Sequence, residues 1–294
     1  MTATPAQGEL PLPDLPRRLY TATPTRLTTW LDCPRRYRFT YLDRPPPPKG
    51  PPWAHNSLGA SVHLALAGFW RLPPVQRSAT AAGHLLERAW LRDGFRDDDQ
   101  SSRWRERGRA MVERYAERLD PLDEPLGVER TVATRTPVLA LSGRIDRLDD
   151  RPRDDGGGDL VVVDYKTGRR PPSVSDVRSS LALALYALAV ARTFRRECVR
   201  VELHHLPSDE VVAHEHTEAS LARHLSRAEE MALEAGAADT SYRSGLDDDR
   251  LLAVFPAQPS PSCRWCDFLR SCPDGSARYQ PAAPWAALGE DDAG

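Results

Sequence analysis

Three residues with chemical potential lie on two adjoining apolar runs, VLALSGRIDRL and DLVVVDYKT: Asp146 on the first, Asp164 and Lys166 on the second. The pattern reads as two strands, with Asp146 ending one and Asp164 nearly ending the next. RPRDDGGGD between them reads as a hairpin loop. A hairpin would bring the two carboxylates close together, which is unfavourable unless something positive sits between them. A hard divalent cation suits that place, because Mg²⁺ takes one or two carboxylates plus waters and phosphate oxygens. Lys166, two residues beyond Asp164, shares its strand face. Two acids and an ammonium on one face can bind a metal, hold a phosphate and orient a water for attack. The same pattern also fits a plain Asp–Lys surface pair at a strand end.

Composition sharpens the reading of Lys166. Of 40 basic residues, only Lys49 and Lys166 are lysines. In so arginine-biased a chain, a site that keeps an ammonium asks for a compact point charge rather than a broad fork. The 294 residues suffice for one large domain or two small ones, and 40% hydrophobic with 28% charged content is globular. A net charge of −2 gives no global attraction to nucleic acid, so such a partner would need local patches. No apolar run reaches the length of a membrane span, and the N-terminus has no basic and apolar leader pattern. A cytoplasmic setting is expected.

These groups need a scaffold. Residues 1–22 are Pro-rich and read as a disordered tail, and 281–294 as a disordered acidic one. Thr23-Pro24 is a helix start, and the helix beyond it is interrupted or restarts near Pro34. PPPPKGPP is a stiff connector. Helical patterns follow at about 57–71, 76–93 and 101–119. Strand patterns begin at 127 with GVERTVATRT. A buried helix (SSLALALYALAVARTF), two strands (VRVELHHL, EVVAHEHT) and an amphipathic helix (EASLARHLSRAEEMALEAG) complete the series. The order predicts one mixed α/β domain over 23–280, with an N-terminal helical portion and a Cys-rich C-terminal segment.

Gly-x-Ile-Asp, a hairpin, then Val-Val-Asp-Tyr-Lys-Thr-Gly resembles the core of RecB-like nucleases of the PD-(D/E)XK superfamily. The resemblance implies a restriction-endonuclease-like central mixed sheet flanked by helices. It implies a metal site of His63, from Gly59-Ala-Ser-Val-His63, with Asp146, Asp164 and the Tyr165 carbonyl, and Lys166 acting on water and phosphoryl oxygen. Glu129 matches an acid often found on the preceding strand, and is equally open to reading as a solvated strand residue. Tyr186 matches the tyrosine of a Gln-x-x-x-Tyr element, but Ala182 stands where that element has Gln, a departure that bears on catalytic vigour.

The five cysteines divide sharply. Cys263, Cys266 and Cys272 form C-x₂-C-x₅-C, Cys33 lies far upstream, and Cys198 begins a strand pattern as a buried thiol. In a cytosolic chain such clustering suggests metal, either Zn²⁺ or a 4Fe–4S cluster. Structural zinc sites more often come as two local pairs. The one-plus-three split resembles the iron–sulfur staple of the AddB and CRISPR-associated exonuclease branches. That implies a 4Fe–4S cluster on Cys33, Cys263, Cys266 and Cys272, with zinc as the alternative occupant.

DNA contacts are expected at Arg35 and Arg36 beside the first cysteine, and at Arg169 and Arg170 after the Asp-Tyr-Lys loop. Trp30, Tyr37, Phe39 and Tyr41 suit either base stacking or the covering of a cluster. Arg103, Arg105, Arg107 and Arg109 read as a solvated helix face. The implied activity is a Mg²⁺- or Mn²⁺-dependent DNA exonuclease of repair or recombination, acting on ends or single strands. No nucleotide-binding G-x-x-x-x-G-K-[ST] is present, so a helicase would be a separate chain. The alternatives are a non-catalytic or partner-dependent iron–sulfur DNA-binding protein of the same fold, or a CRISPR-adaptation nuclease.

Overall fold

The computed structural model describes residues 19–152 and 157–289. The expected tails at 1–18 and 290–294, and loop residues 153–156, lie outside the described residues. Both tail boundaries need correction. Tyr20–Ala22 forms strand β1. At the other end Leu288 is buried and Pro284 accepts a hydrogen bond from the Ala54 N–H, so residues 281–289 pack on the domain.

The helices start where their capping residues dictate. Thr23 Oγ1 accepts from the Arg26 N–H, and α1 (Pro24–Asp32) follows with Pro at its first position. Cys33 breaks the helix and caps the next one, α2 (Pro34–Tyr41), through Sγ. α3 (Ala54–Trp70), α4 (Ala79–Ala89) and α5 (Asp98–Glu117) form the helical portion. Strands β2 (Gly127–Arg135), β3 (Leu139–Pro152) and β4 (Gly158–Lys166) follow, then α6 (Val174–Ser179) and α7 (Leu181–Phe194). Strands β5 (Arg200–His205) and β6 (Glu210–Glu215) precede α8 (Glu218–Arg243) and α9 (Asp248–Val254). Among the described residues, no helix is long and apolar enough to cross a membrane.

The six strands form one mixed sheet. β4 alternates its side chains between two helical layers. Val161, Val163 and Tyr165 pack with α3, α4 and α5, whereas Leu160 and Val162 pack with α7. A strand covered on both faces must be apolar throughout, which explains the unbroken LVVV run. β4 and β5 are parallel, and α6 and α7 make the connection between them that parallel pairing requires.

The 14-residue β3 organises the sheet. β2 lies antiparallel along one edge, from Ala140 to Leu148. The other edge is shared: β1 pairs in parallel with Leu139–Leu141, and β4 pairs antiparallel with Arg147–Pro152. Among the described residues, that edge carries no strand partner from Ser142 to Asp146, and this notch holds the candidate site.

Candidate active site

Asp146 does not end a strand; it lies in the middle of β3. What ends there is the pairing with β4. Arg147 pairs with Val163, and the same antiparallel register carried one step sets Asp164 opposite Asp146. On the other side Val128 pairs with Arg147 and Arg130 with Ile145, which sets Glu129 opposite Asp146. Three carboxylates therefore occupy one rung across three strands. The ladder is interrupted at this rung. The Tyr165 N–H, freed from strand pairing, donates to Asp146 Oδ2 at 2.8 Å. Glu129 adopts φ = 48°, a left-handed backbone that a non-glycine residue holds only where its surroundings over-determine it.

α3 brings His63 to the rung. Gly59, one turn earlier, eases that approach: a Cβ there would lie 3.3 Å from Thr167 Oγ1, just past the end of β4. His63 Nε2 lies 3.2 Å from the Tyr165 carbonyl, and Nδ1 lies 3.3 Å from Asp146 Oδ1. A carbonyl only accepts, so Nε2 carries a proton. In neutral His63 the Nδ1 lone pair would then face a carboxylate oxygen. Two acceptors at that distance require a proton or a cation between them. Ligand atoms of His63, Glu129 and Asp146 all lie within 4.8 Å of one another.

The ionisation of the site shows the same shortage of positive charge. Burial works against a charged His63, yet Asp146, then Asp164 and Glu129, lift it above the ordinary histidine value. Burial raises Glu129; Arg144, paired with it at 2.8 Å, opposes the rise and Asp146 adds to it. Burial likewise pushes Asp164 above the usual carboxylate range, with Lys166 opposing and Asp146 reinforcing. Lys166 Nζ lies 2.5 Å from Asp164 Oδ2, an ion pair angled so that this buried oxygen receives no well-formed hydrogen bond. The donor set is hard oxygen and imidazole, and it fits a divalent cation of the Mg²⁺ or Mn²⁺ class. The tight trio contains Glu129, which sequence left ambiguous; Asp164 stands beside it, turned to Lys166.

Tyr186 closes the notch from α7. Its ring lies on Gly143, where a Cβ would come within 2.4 Å of Cε1. Burial, then the charges of Asp164 and Asp146, push its hydroxyl up to about 12. Ala182 lies one turn before it on α7.

The cysteines also assemble. Cys33, Cys263, Cys266 and Cys272 line one cavity of about 180 Å³ with Arg36, Phe39, Phe268 and Leu269. Burial raises the Cys266 and Cys272 thiols, and neighbouring thiol charges add to both shifts. Cys198 is buried elsewhere, its Sγ directed at the Leu160 carbonyl.

Arg35 is corrected from its expected role. It is buried, donates from Nε to the Phe255 carbonyl and pairs with Asp274, so it ties α2 to the C-terminal segment. Arg36 and Arg169 are exposed, as is Arg170, which pairs with Asp176. Tyr37 and Phe39 are core residues, the first bonded to Asp239 and the second packed on Phe268. Sequence reasoning missed Trp70, Arg147 and Tyr115, which gather around the Tyr165 ring. The available signals were small: Arg147 adjoins Asp146, and Trp70 follows His63 by two helical turns.

The family model described as the PD-(D/E)XK nuclease superfamily matches residues 21–273. No curated protein matches the chain. A solved structure described as SSO0001 is similar over 88% of this chain and 88% of its own, at 13% identity and a TM-score of 0.35. A candidate exonuclease from Eubacterium rectale is similar over 82% of this chain and 97% of its own, at 10% identity and a TM-score of 0.33.

Proposed function

The chain belongs to the PD-(D/E)XK nuclease superfamily, and from that premise we propose that it is a metal-dependent deoxyribonuclease, an exonuclease of the RecB-like branch acting in DNA repair or recombination. The observation that carries the reading is the convergence of His63, Glu129 and Asp146 within 4.8 Å, beside the Asp164–Lys166 pair at the notch in the sheet.

His63, Glu129 and Asp146 would hold the cation, with Asp164 and the Tyr165 carbonyl at its margin. A cation held there would supply a hard positive charge able to polarise a phosphodiester and a water. Lys166 donates to a phosphoryl oxygen and neutralises charge that grows there as water attacks. Asp164 fixes the ammonium by its ion pair. Tyr186, kept protonated, presents a neutral hydroxyl beside both acids. Arg169 and Arg170, exposed just beyond the loop, would hold the backbone of the strand being cut.

The cysteine cavity is read as the seat of a 4Fe–4S cluster joining α1 and α2 to the C-terminal segment. The four thiols share one cavity with apolar walls, which supports a partly buried inorganic group at that place; zinc is the alternative occupant. Iron and sulfide analysis of anaerobically purified protein tests this; bound zinc without iron would overturn it.

The activity is tested with end-labelled single- and double-stranded DNA, Mg²⁺ or Mn²⁺, and the Lys166→Ala variant. Cleavage lost by at least a hundredfold in the variant is expected, in line with removal of one transition-state donor. Absence of cleavage by iron-replete wild type on every substrate would overturn the nuclease reading and favour a DNA-binding role, with Ala182 as the departure to examine.

A further inference from the structure

We propose that the Tyr165 side chain, with Trp70 and Arg147, is a positioning device for the metal centre, setting the separation of His63 from Asp146 from within the core. The proposal rests on the metal-site reading above.

Both backbone polar atoms of Tyr165 are committed to the site. Its N–H donates to Asp146 Oδ2 at 2.8 Å, and its carbonyl faces His63 Nε2 at 3.2 Å. Asp164 and Lys166, its chain neighbours, point to the opposite face of β4. The phenol therefore runs inward, between α3 and α5. There its hydroxyl accepts from Trp70 Nε1 at 3.2 Å and Arg147 Nη1 at 3.4 Å.

The anchors are related to the ligands they serve. Trp70 is on α3, the helix of His63. Arg147 is the residue after Asp146 on β3. Tyr165 thus ties α3 and β3 to β4 twice each, once by backbone at the site and once by phenol in the core. A helix and a strand held at two points lose the freedom to pivot about either one. The Tyr165 ring also meets the His63 ring edge-on, with centroids 5.9 Å apart.

The anchors are themselves fixed. Arg147 is buried, donates from Nη2 to Asp149 Oδ2 at 3.0 Å and from Nη1 to Tyr115 Oη at 3.2 Å, and lies over the Trp70 ring. Tyr115 continues to His204 Nδ1 at 2.7 Å, and His204 Nε2 lies 2.9 Å from Glu202. A guanidinium, an indole N–H and two phenols are a costly way to fill space among the aliphatic and aromatic side chains of this core. Within this network Arg147 Nε faces Asp149 Oδ1 at 2.8 Å without a well-formed hydrogen bond, while its Nη1 and Nη2 are bonded; bonded buried networks specify one geometry, and groups behind metal ligands govern metal affinity by about 10–100-fold.

The test measures Mn²⁺ binding to cluster-loaded protein by titration calorimetry and by the electron paramagnetic resonance of free Mn²⁺. Tyr165→Phe keeps the ring and its contact with His63 but removes the anchored oxygen. Trp70→Phe removes the donor. Each is expected to weaken Mn²⁺ binding about tenfold, and the double variant no more than Tyr165→Phe alone, because Tyr165→Phe already removes the bond that Trp70→Phe removes. If the protein cleaves DNA, the half-saturating Mn²⁺ should rise in the same proportion, with kcat recovering at high Mn²⁺. Val112→Ala, in the same core cluster but outside the network, should lower Tm and leave Mn²⁺ affinity unchanged. Wild-type affinity in Tyr165→Phe, or an equal loss in Val112→Ala, would overturn the proposal. Wild type that binds Mn²⁺ yet cuts no DNA removes the nuclease reading alone, since positioning is judged by binding.

Discussion

Gly143 and Tyr186 give the sharpest steric test of the notch. Gly143 lies on the unpaired stretch of β3, and a Cβ built there would sit 2.4 Å from Tyr186 Cε1 and 3.3 Å from its hydroxyl. Carbon atoms pack at about 3.5–4.0 Å, so Gly143→Ala forces the ring back by about 1 Å. The backbone at Gly143 is ordinary strand, and the effect is wholly one of space. Overpacking of this size costs about 1–3 kcal/mol, which lowers Tm by about 2–3 °C per kcal/mol in a large domain. The displaced ring belongs to a tyrosine whose hydroxyl the charges of both Asp164 and Asp146 push up. Misplacement by about 1 Å near reacting groups can lower turnover a hundredfold. Tyr186→Ala removes the clash, so adding Gly143→Ala to it should cost little further. Chemical unfolding of the four proteins of this cycle is expected to give a coupling of about 1–3 kcal/mol. If Gly143→Ala costs the same with and without Tyr186, the close contact is not what fixes glycine here.

Three further outcomes follow from the charge and burial pattern. Burial would raise the Glu202 carboxyl, but His204, Arg151 and Arg200 outweigh it and hold the group well below the usual range. Its stabilising contribution is complete above the ordinary glutamate value of about 4.3 and is lost as pH falls below it; Glu202→Gln should be less stable at neutral pH and show a shallower acid limb in unfolding titrations. Burial pushes Cys198 up to about 12, so about one thiol in ten thousand is ionised at pH 8, and native-state alkylation followed by mass spectrometry should leave it unmodified until the chain unfolds. Arg35→Ala should lower Tm by removing the bond to Phe255 while leaving DNA affinity within about twofold; a selective loss of DNA binding at unchanged Tm would return Arg35 to the interface.

How much of this was legible in sequence depended on whether the governing contact was local. Asp164 and Lys166 are two residues apart, so strand periodicity alone put them on one face. His63 precedes Asp146 by most of the helical portion, and only resemblance joined them. Arg35 and Arg36 look alike in sequence, but neighbours on a helix point about 100° apart, and one turned into the core. β1 is three residues long, too short to show a period.

The misplaced end of β3 has a more instructive cause. Apolar patterning stops at Leu148, yet the strand continues through Asp149, Asp150 and Arg151. Those residues stay in the sheet because each meets an opposite charge, from another strand, from the same strand or from the turn after α7. Arg151 forms two 2.8 Å bonds to the buried Glu202 of β5, Arg147 donates to Asp149, and Arg196 brackets Asp150. A period-2 reading counts charged residues as solvent-facing and stops at the first cluster of them; it cannot see that a partner strand supplies the opposite charge. The extra length is what makes the site. Because β3 outruns its apolar segment, β4 pairs with its far end and β1 with its near end. Between them, among the described residues, five residues of one edge are left without a strand. A sheet edge left open is normally a liability to be covered. Here Tyr186 covers one end of the gap. At the other end a carboxylate takes the Tyr165 N–H that strand pairing would have used. The acids are therefore where the sheet is deliberately incomplete, and the geometry that a cation would need follows from the unequal lengths of three strands.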